Sequence, residues 1–193
     1  MRINKPIYLI VHHTGGSDTY PLADSSNQTF EDVNREHRNN PRTWLGEYSS
    51  LGYAIGYHYF IDKQGKLTQG RSDLDEGAHA VGHNTDSLGI CLAGNFDLTM
   101  PTVEQITSLK AILGRKMAEY SIPASNIFPH RHFANKSCYG NNLPDNWASQ
   151  LMSTTSKPVE PCQDEKSVII EQEKKISNLQ VFINNLIKFF NLK

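Results

Sequence analysis

Two short apolar runs limit what this chain can become. "IYLIV" at residues 7–11 and "SLGICLAGNF" at 87–96 lack the apolar–polar alternation of a strand with one wet face, and both end in polar turn formers. Continuous apolar strands of this length are buried on both faces, so each is expected to be a central strand of a covered sheet. The first run is too short for a signal-peptide core or a membrane span, so no export signal is expected and the chain reads as made in the cytoplasm.

Helical patterns lie between and after these runs. "TFEDVNREHRNN" (29–40) places Phe30, Val33 and His37 at helical spacing and stops before Pro41. "PTVEQITSLKAILGRKMAEY" (101–120) opens with Thr102 and Gln105 in a capping-box arrangement, and Ile106, Leu109, Ile112, Leu113, Met117 and Tyr120 form an apolar stripe. "IGYHYFID" and "LTQGR" around "KQGK" read as a hairpin turning at Gly65, "NIFPHRH" as a last short strand, and "LPDNWASQL" as a brief terminal helix. The fold class is therefore α/β, a central mixed β-sheet flanked by helices over residues 1–151.

The composition changes at residue 152. "STTSKPVEPCQDEKS" is rich in Ser, Thr, Pro and charge, which makes 152–166 a linker. Over 167–193, Ile169, Ile176, Leu179, Ile183, Leu186 and Phe190 keep a seven-residue pattern broken by Gln172, as in an amphipathic helix. After Glu173 it carries four lysines and no acid, so the expected uses are homo-oligomerisation or contact with an anionic membrane.

Charge and cysteine content narrow the function. With 19 basic and 20 acidic residues no overall field draws the chain to nucleic acid, and no nucleic-acid partner is expected. Three cysteines are too few and too odd for a disulfide framework, and Cys91 inside the second apolar run reads as core.

The chemistry concentrates in "VHHTGG" (11–16) and "HRHFANKSC" (130–138). Zinc favours imidazole nitrogen and thiolate sulfur, and a catalytic zinc keeps three protein ligands and an open position. His12, His130 and Cys138, at strand ends or in the loop after one, would make such a set. Successive strand residues face opposite ways, so at most one of His12 and His13 can join it. The other possibility is a pair of strand-end histidines and an unrelated thiol.

Four separated motifs carry a resemblance. "IVHHTGG", "IGYHYFIDKQGKLTQGR", "EGAHAVGHNTDSLGICLAGNF" and "HRHFANKSC" are similar, in order and approximate spacing, to zinc-dependent N-acetylmuramoyl-L-alanine amidases of the phage-lysozyme and peptidoglycan-recognition-protein type, the amidase type 2 family. The resemblance covers residues 7–151. It implies one Zn2+ per chain held by His12, His130 and Cys138, catalytic roles for Tyr57 and Lys136, and substrate contacts from His79 and Asn84. His58 and His83 are left as structural or exposed. The implied activity is hydrolysis of the amide between N-acetylmuramic acid and L-alanine by a zinc-activated water, in bacterial peptidoglycan reached at phage lysis. The alternative is a non-catalytic module of the same fold that binds peptidoglycan. The chain departs from the family where His132 replaces a common acid and where Asn135 and Tyr139 replace prolines.

Overall fold

A computed structural model of the chain describes residues 3–16, 20–40 and 49–153. The expected linker from 154 on and the 167–193 helix lie outside the described residues. Five strands form one mixed sheet: β1 (Tyr8–His13), β2 (Tyr59–Ile61), β3 (Leu67–Gln69), β4 (Ser87–Leu92) and β5 (Ile127–Pro129), in the order β3-β2-β4-β1-β5. β1 runs parallel to β4 and β5 on either side, β4 runs parallel to β2, and only the β2–β3 hairpin is antiparallel. The two continuous apolar runs thus lie at the centre, where burial on both faces explains their composition.

The pleat sorts the side chains. Leu9 and Val11 of β1, Tyr59 and Ile61 of β2, and Leu88, Ile90 and Leu92 of β4 share a core with Leu109, Ile112 and Leu113 of α2 (Val103–Tyr120). Phe60 and Cys91, of opposite parity, pack with Phe30 and Val33 of α1 (Phe30–Asn39) on the other face. Each fully buried Leu, Ile or Phe contributes about 1.5–3 kcal/mol of transfer free energy. Both helices begin with a reciprocal capping box, Thr29 with Asp32 and Thr102 with Gln105. α3 (Trp147–Ser153) continues two residues past the expected domain end because Leu151 and Met152 pack against the α2-side core.

The strand expected over 55–62 is shorter than its pattern, and α1 is the cause. Asn34 Oδ1 accepts from the Ala54 and Ile55 N–H groups at 2.7 and 3.1 Å, and His37 Nδ1 accepts from the Gly56 N–H at 2.9 Å. Donors that would have extended the ladder are used by the helix, so regular pairing begins at Tyr59.

Lys116 departs from the apolar pattern of α2. Its ammonium is buried and paired with the Asp73 carboxylate and with Glu119, while the Tyr59 and Tyr120 hydroxyls donate to Asp73 at 2.7 and 3.0 Å. Burial alone would raise the Asp73 pKa, but the bonds from Lys116 and Tyr59 outweigh it and hold the carboxyl below its usual value. A folded-state value below the unfolded one stabilises the fold above about pH 4 and is lost as pH falls further. Asp73→Ala leaves the buried ammonium with only the half-exposed Glu119 as its charge partner and should cost about 3 kcal/mol in urea denaturation at pH 7. An unchanged midpoint would show that this pair does not hold α2 to the hairpin.

Candidate metal centre and active-site cleft

Parallel pairing brings the C-terminal ends of β1 and β5 side by side. His12 is near the end of β1 and His130 follows β5 directly, starting a single 3-10 turn, His130–His132. The loop after that turn returns Cys138 to the same point. Donor atoms of His12, His130 and Cys138 all lie within 4.8 Å of one another, with His12 Nδ1 3.8 Å from Cys138 Sγ and the two imidazole centroids 4.5 Å apart. Two imidazoles and a thiol at this separation could hold one zinc-sized ion. His13 faces the other way: its ring packs beside Phe96, whose N–H donates to His13 Nδ1 at 3.0 Å.

Arg131 and Asp97 hold the returning loop. The Arg131 guanidinium donates to the carbonyls of Ser137, Gly140 and Leu143 and to the Asp145 carboxylate, at 2.5–3.2 Å. Asp97 accepts from Ser137 Oγ and from the Asn141 N–H, both at 2.7 Å, and the His13 N–H points at Cys138 Sγ, 3.4 Å away. Tyr139, standing where the family has proline, is buried and donates its hydroxyl to the Asp145 carbonyl at 2.7 Å. His132, standing where an acid is common, stacks on Phe128 at 4.4 Å outside the cleft. Asn135 is exposed at the rim.

His130 and Cys138 open into a cleft of about 660 Å³ that His13, Tyr57, Lys136, His37, His79 and Asp97 also line, with His12 buried directly behind them. Tyr57 lies over His12, ring centroids 5.0 Å apart, and Lys136 is exposed at the edge. His79 is buried, with Nδ1 3.1 Å from His12 Nε2. Asn84 does not line the cleft; its side-chain oxygen accepts from the N–H groups of His79 and Ala80, both at 2.9 Å. His58 is buried between the Gly89 N–H and the Asp75 carbonyl, and His83 pairs with Asp86. His37 and Asp97 had no motif to mark them. His37 occupied a helical stripe position, and Asp97 followed the second apolar run as an ordinary turn former.

Burial sets the electrostatics. It lowers the His12 pKa well below the ordinary histidine value, with the neighbouring His130 and His79 adding to the effect, and it lowers His130 to about 4. Both rings are therefore neutral at pH 7 and able to donate lone pairs. Burial pushes the Cys138 thiol up to about 12 despite the His13 N–H and Lys136, and raises Tyr57 well above the usual phenol value.

Known proteins are similar to this chain in sequence and fold. The family model described as N-acetylmuramoyl-L-alanine amidase matches residues 3–141. Peptidoglycan-recognition protein SC2 of Drosophila melanogaster is 30% identical over 138 residues, 70% of this chain and 69% of its own. The endolysin of Enterobacteria phage T3 is 32% identical over 122 residues, 60% of this chain and 78% of its own. Among solved structures, the N-acetylmuramoyl-L-alanine amidase LysC from Clostridium intestinale superposes with a TM-score of 0.61 at 27% identity, covering 79% of this chain and 89% of the other. A family model that matches residues 3–141, most of the chain, establishes that this protein belongs to the N-acetylmuramoyl-L-alanine amidase family.

Proposed function

We propose that this chain is a zinc-dependent amidase that cleaves the bond between N-acetylmuramic acid and L-alanine in bacterial peptidoglycan, acting at the wall as phage endolysins do. The observation that carries the proposal is the complete His12–His130–Cys138 donor set, two of whose members line a cleft edged by a lysine. The donors fit zinc in kind and number, since two neutral imidazoles and one ionisable thiol leave a coordination position open. The recognition-protein relative favours a second reading, a module that binds the same polymer without cutting it. An intact thiol and Lys136 weigh toward catalysis.

Bound zinc would supply Lewis-acid polarisation of the amide carbonyl and an acidified water, with a pKa near about 7. The chain's own groups divide the remaining work. Tyr57, kept protonated by burial, is a hydrogen-bond donor at neutral pH and not a base. Lys136 brings an ammonium to the cleft edge, where negative charge develops on the carbonyl oxygen as the amide is attacked. Arg131 and Asp97 keep the Cys138 loop in place.

Release of L-alanyl amino groups from purified peptidoglycan, abolished by chelator and restored by zinc, tests the activity. Binding without release would favour the recognition module. Cys138→Ser should lose stoichiometric zinc and activity, whereas His13→Ala should keep the metal and lose about 1–3 kcal/mol of stability from the orphaned Phe96 N–H. Full zinc content in the first variant, or metal loss in the second, would reverse the ligand assignment.

Zinc uptake at pH 7 should release about one proton per ion, from Cys138, because the imidazoles are already neutral. Affinity should therefore rise with pH between about 6 and 9. Calorimetry in buffers of different ionisation enthalpy reads the proton count, and a count near zero would remove the thiol from the site.

Lys136→Ala should keep zinc and lower kcat about 10²- to 10³-fold, the usual cost of losing one partner of a developing oxyanion. The loss belongs in kcat more than in KM, because that charge is absent from the ground state. Wild-type turnover would make Lys136 a rim charge only.

A further inference from the structure

We propose that His79 is a positioning residue that fixes the tautomer of His12, keeping the proton on Nε2 so that the Nδ1 lone pair faces Cys138 and His130. The inference rests on the metal-site reading above and goes beyond it, because it assigns the ring proton that decides whether His12 can serve as a ligand.

The assignment starts from Ser87. Its hydroxyl lies 2.5 Å from the His83 carbonyl, which can only accept, so the serine's single hydrogen is committed there. Toward His79 Nε2, 3.5 Å away, Ser87 Oγ can then only accept, which puts the His79 proton on Nε2 and leaves Nδ1 bare. His79 Nδ1 is 3.1 Å from His12 Nε2, so that bond requires the His12 proton to be on Nε2. The remaining nitrogen, Nδ1, is the one 3.8 Å from Cys138 Sγ. A neutral acceptor adds no charge beside the donor set, unlike the carboxylate that often orients such a histidine.

The His79 ring sits in a slot fitted to it. A Cβ at Gly89 would lie 2.6 Å from its Cγ and Cδ2, and one at Gly77 would lie 2.5 Å from its Cδ2. The His58 ring stands edge-on at 5.5 Å, and Asn84 holds the His79 backbone N–H. These contacts fix the angle at which Nδ1 meets His12.

Long-range 1H–15N correlation spectra of the full-length, metal-free protein read the tautomers directly. Protonated Nε2 and bare Nδ1 are expected on both His12 and His79. A His12 proton on Nδ1 would overturn the proposal. Zinc affinity, measured by competition with a chromophoric chelator, should fall about 10- to 100-fold in His79→Leu. His79→Asn, whose amide oxygen can replace Nδ1 as acceptor, should recover most of it. Equal affinity of His79→Leu and wild type also overturns the proposal, as does an equal loss in both variants, which would mark a packing role. If His79→Leu does not fold, the wild-type spectra and the Asn variant still decide. A wild-type protein that takes up no zinc would instead sink the metal-site reading, leaving the tautomer to the spectra.

Discussion

Parallel pairing of β1 with its two neighbours is the constraint on which the cleft depends. In parallel strands the C-terminal ends share one edge, so residues more than a hundred positions apart, His12 and His130, meet without a dedicated connection. An antiparallel β5 would put His130 at the opposite end of β1. The same pleat that turns Leu9 and Val11 toward α2 turns His12 to the opposite face, so the hydrophobic pattern of one strand also selects the histidine that joins His130 and Cys138. A one-residue slip would exchange the two histidines and move Leu9 and Val11 out of the α2-side core.

Much of the fold could be read from local chemistry. The apolar runs of β1 and β4, the helical spacing of α1 and the capping box at Thr102 are signals carried within a few residues, and each appears where its pattern put it. The hairpin strand failed to extend because its donors were taken by Asn34 and His37, from a helix some twenty residues earlier. No periodicity within the strand contains that competition. Lys116 is a similar case, since a lysine on an apolar stripe becomes acceptable only with Asp73 opposite, 43 residues away.

The site divides in the same way. Convergence of His12, His130 and Cys138 was readable through a family pattern, because the chemistry needs those residue types in that order. What supports them was not. His37, Asp97, Arg131 and Ser87 act through hydrogen bonds to partners elsewhere in the chain, and residues of those types at turns and helix faces are ordinary. His79 and Asn84 were assigned by resemblance to the substrate. Their hydrogen bonds run inward, to His12 and to the 79–80 backbone, and His79 also lines the cleft, so the resemblance pointed to a loop whose inward bonds no local pattern carries.

Burial also explains how such a donor set can exist before any ion arrives. With the His130 pKa near 4, His12 lower than usual and the Cys138 thiol near 12, the three groups are uncharged at neutral pH and add no unpaired charge to the interior. Two apolar cores flank the sheet, whereas in small domains without such cores metal binding is the folding energy. On the proposed reading, a zinc ion held by these three residues would have one proton to displace and few side chains to reorganise. Arg131 and Asp97 already hold the Cys138 loop in the folded chain, so the ordering cost of that loop would not be charged against metal affinity.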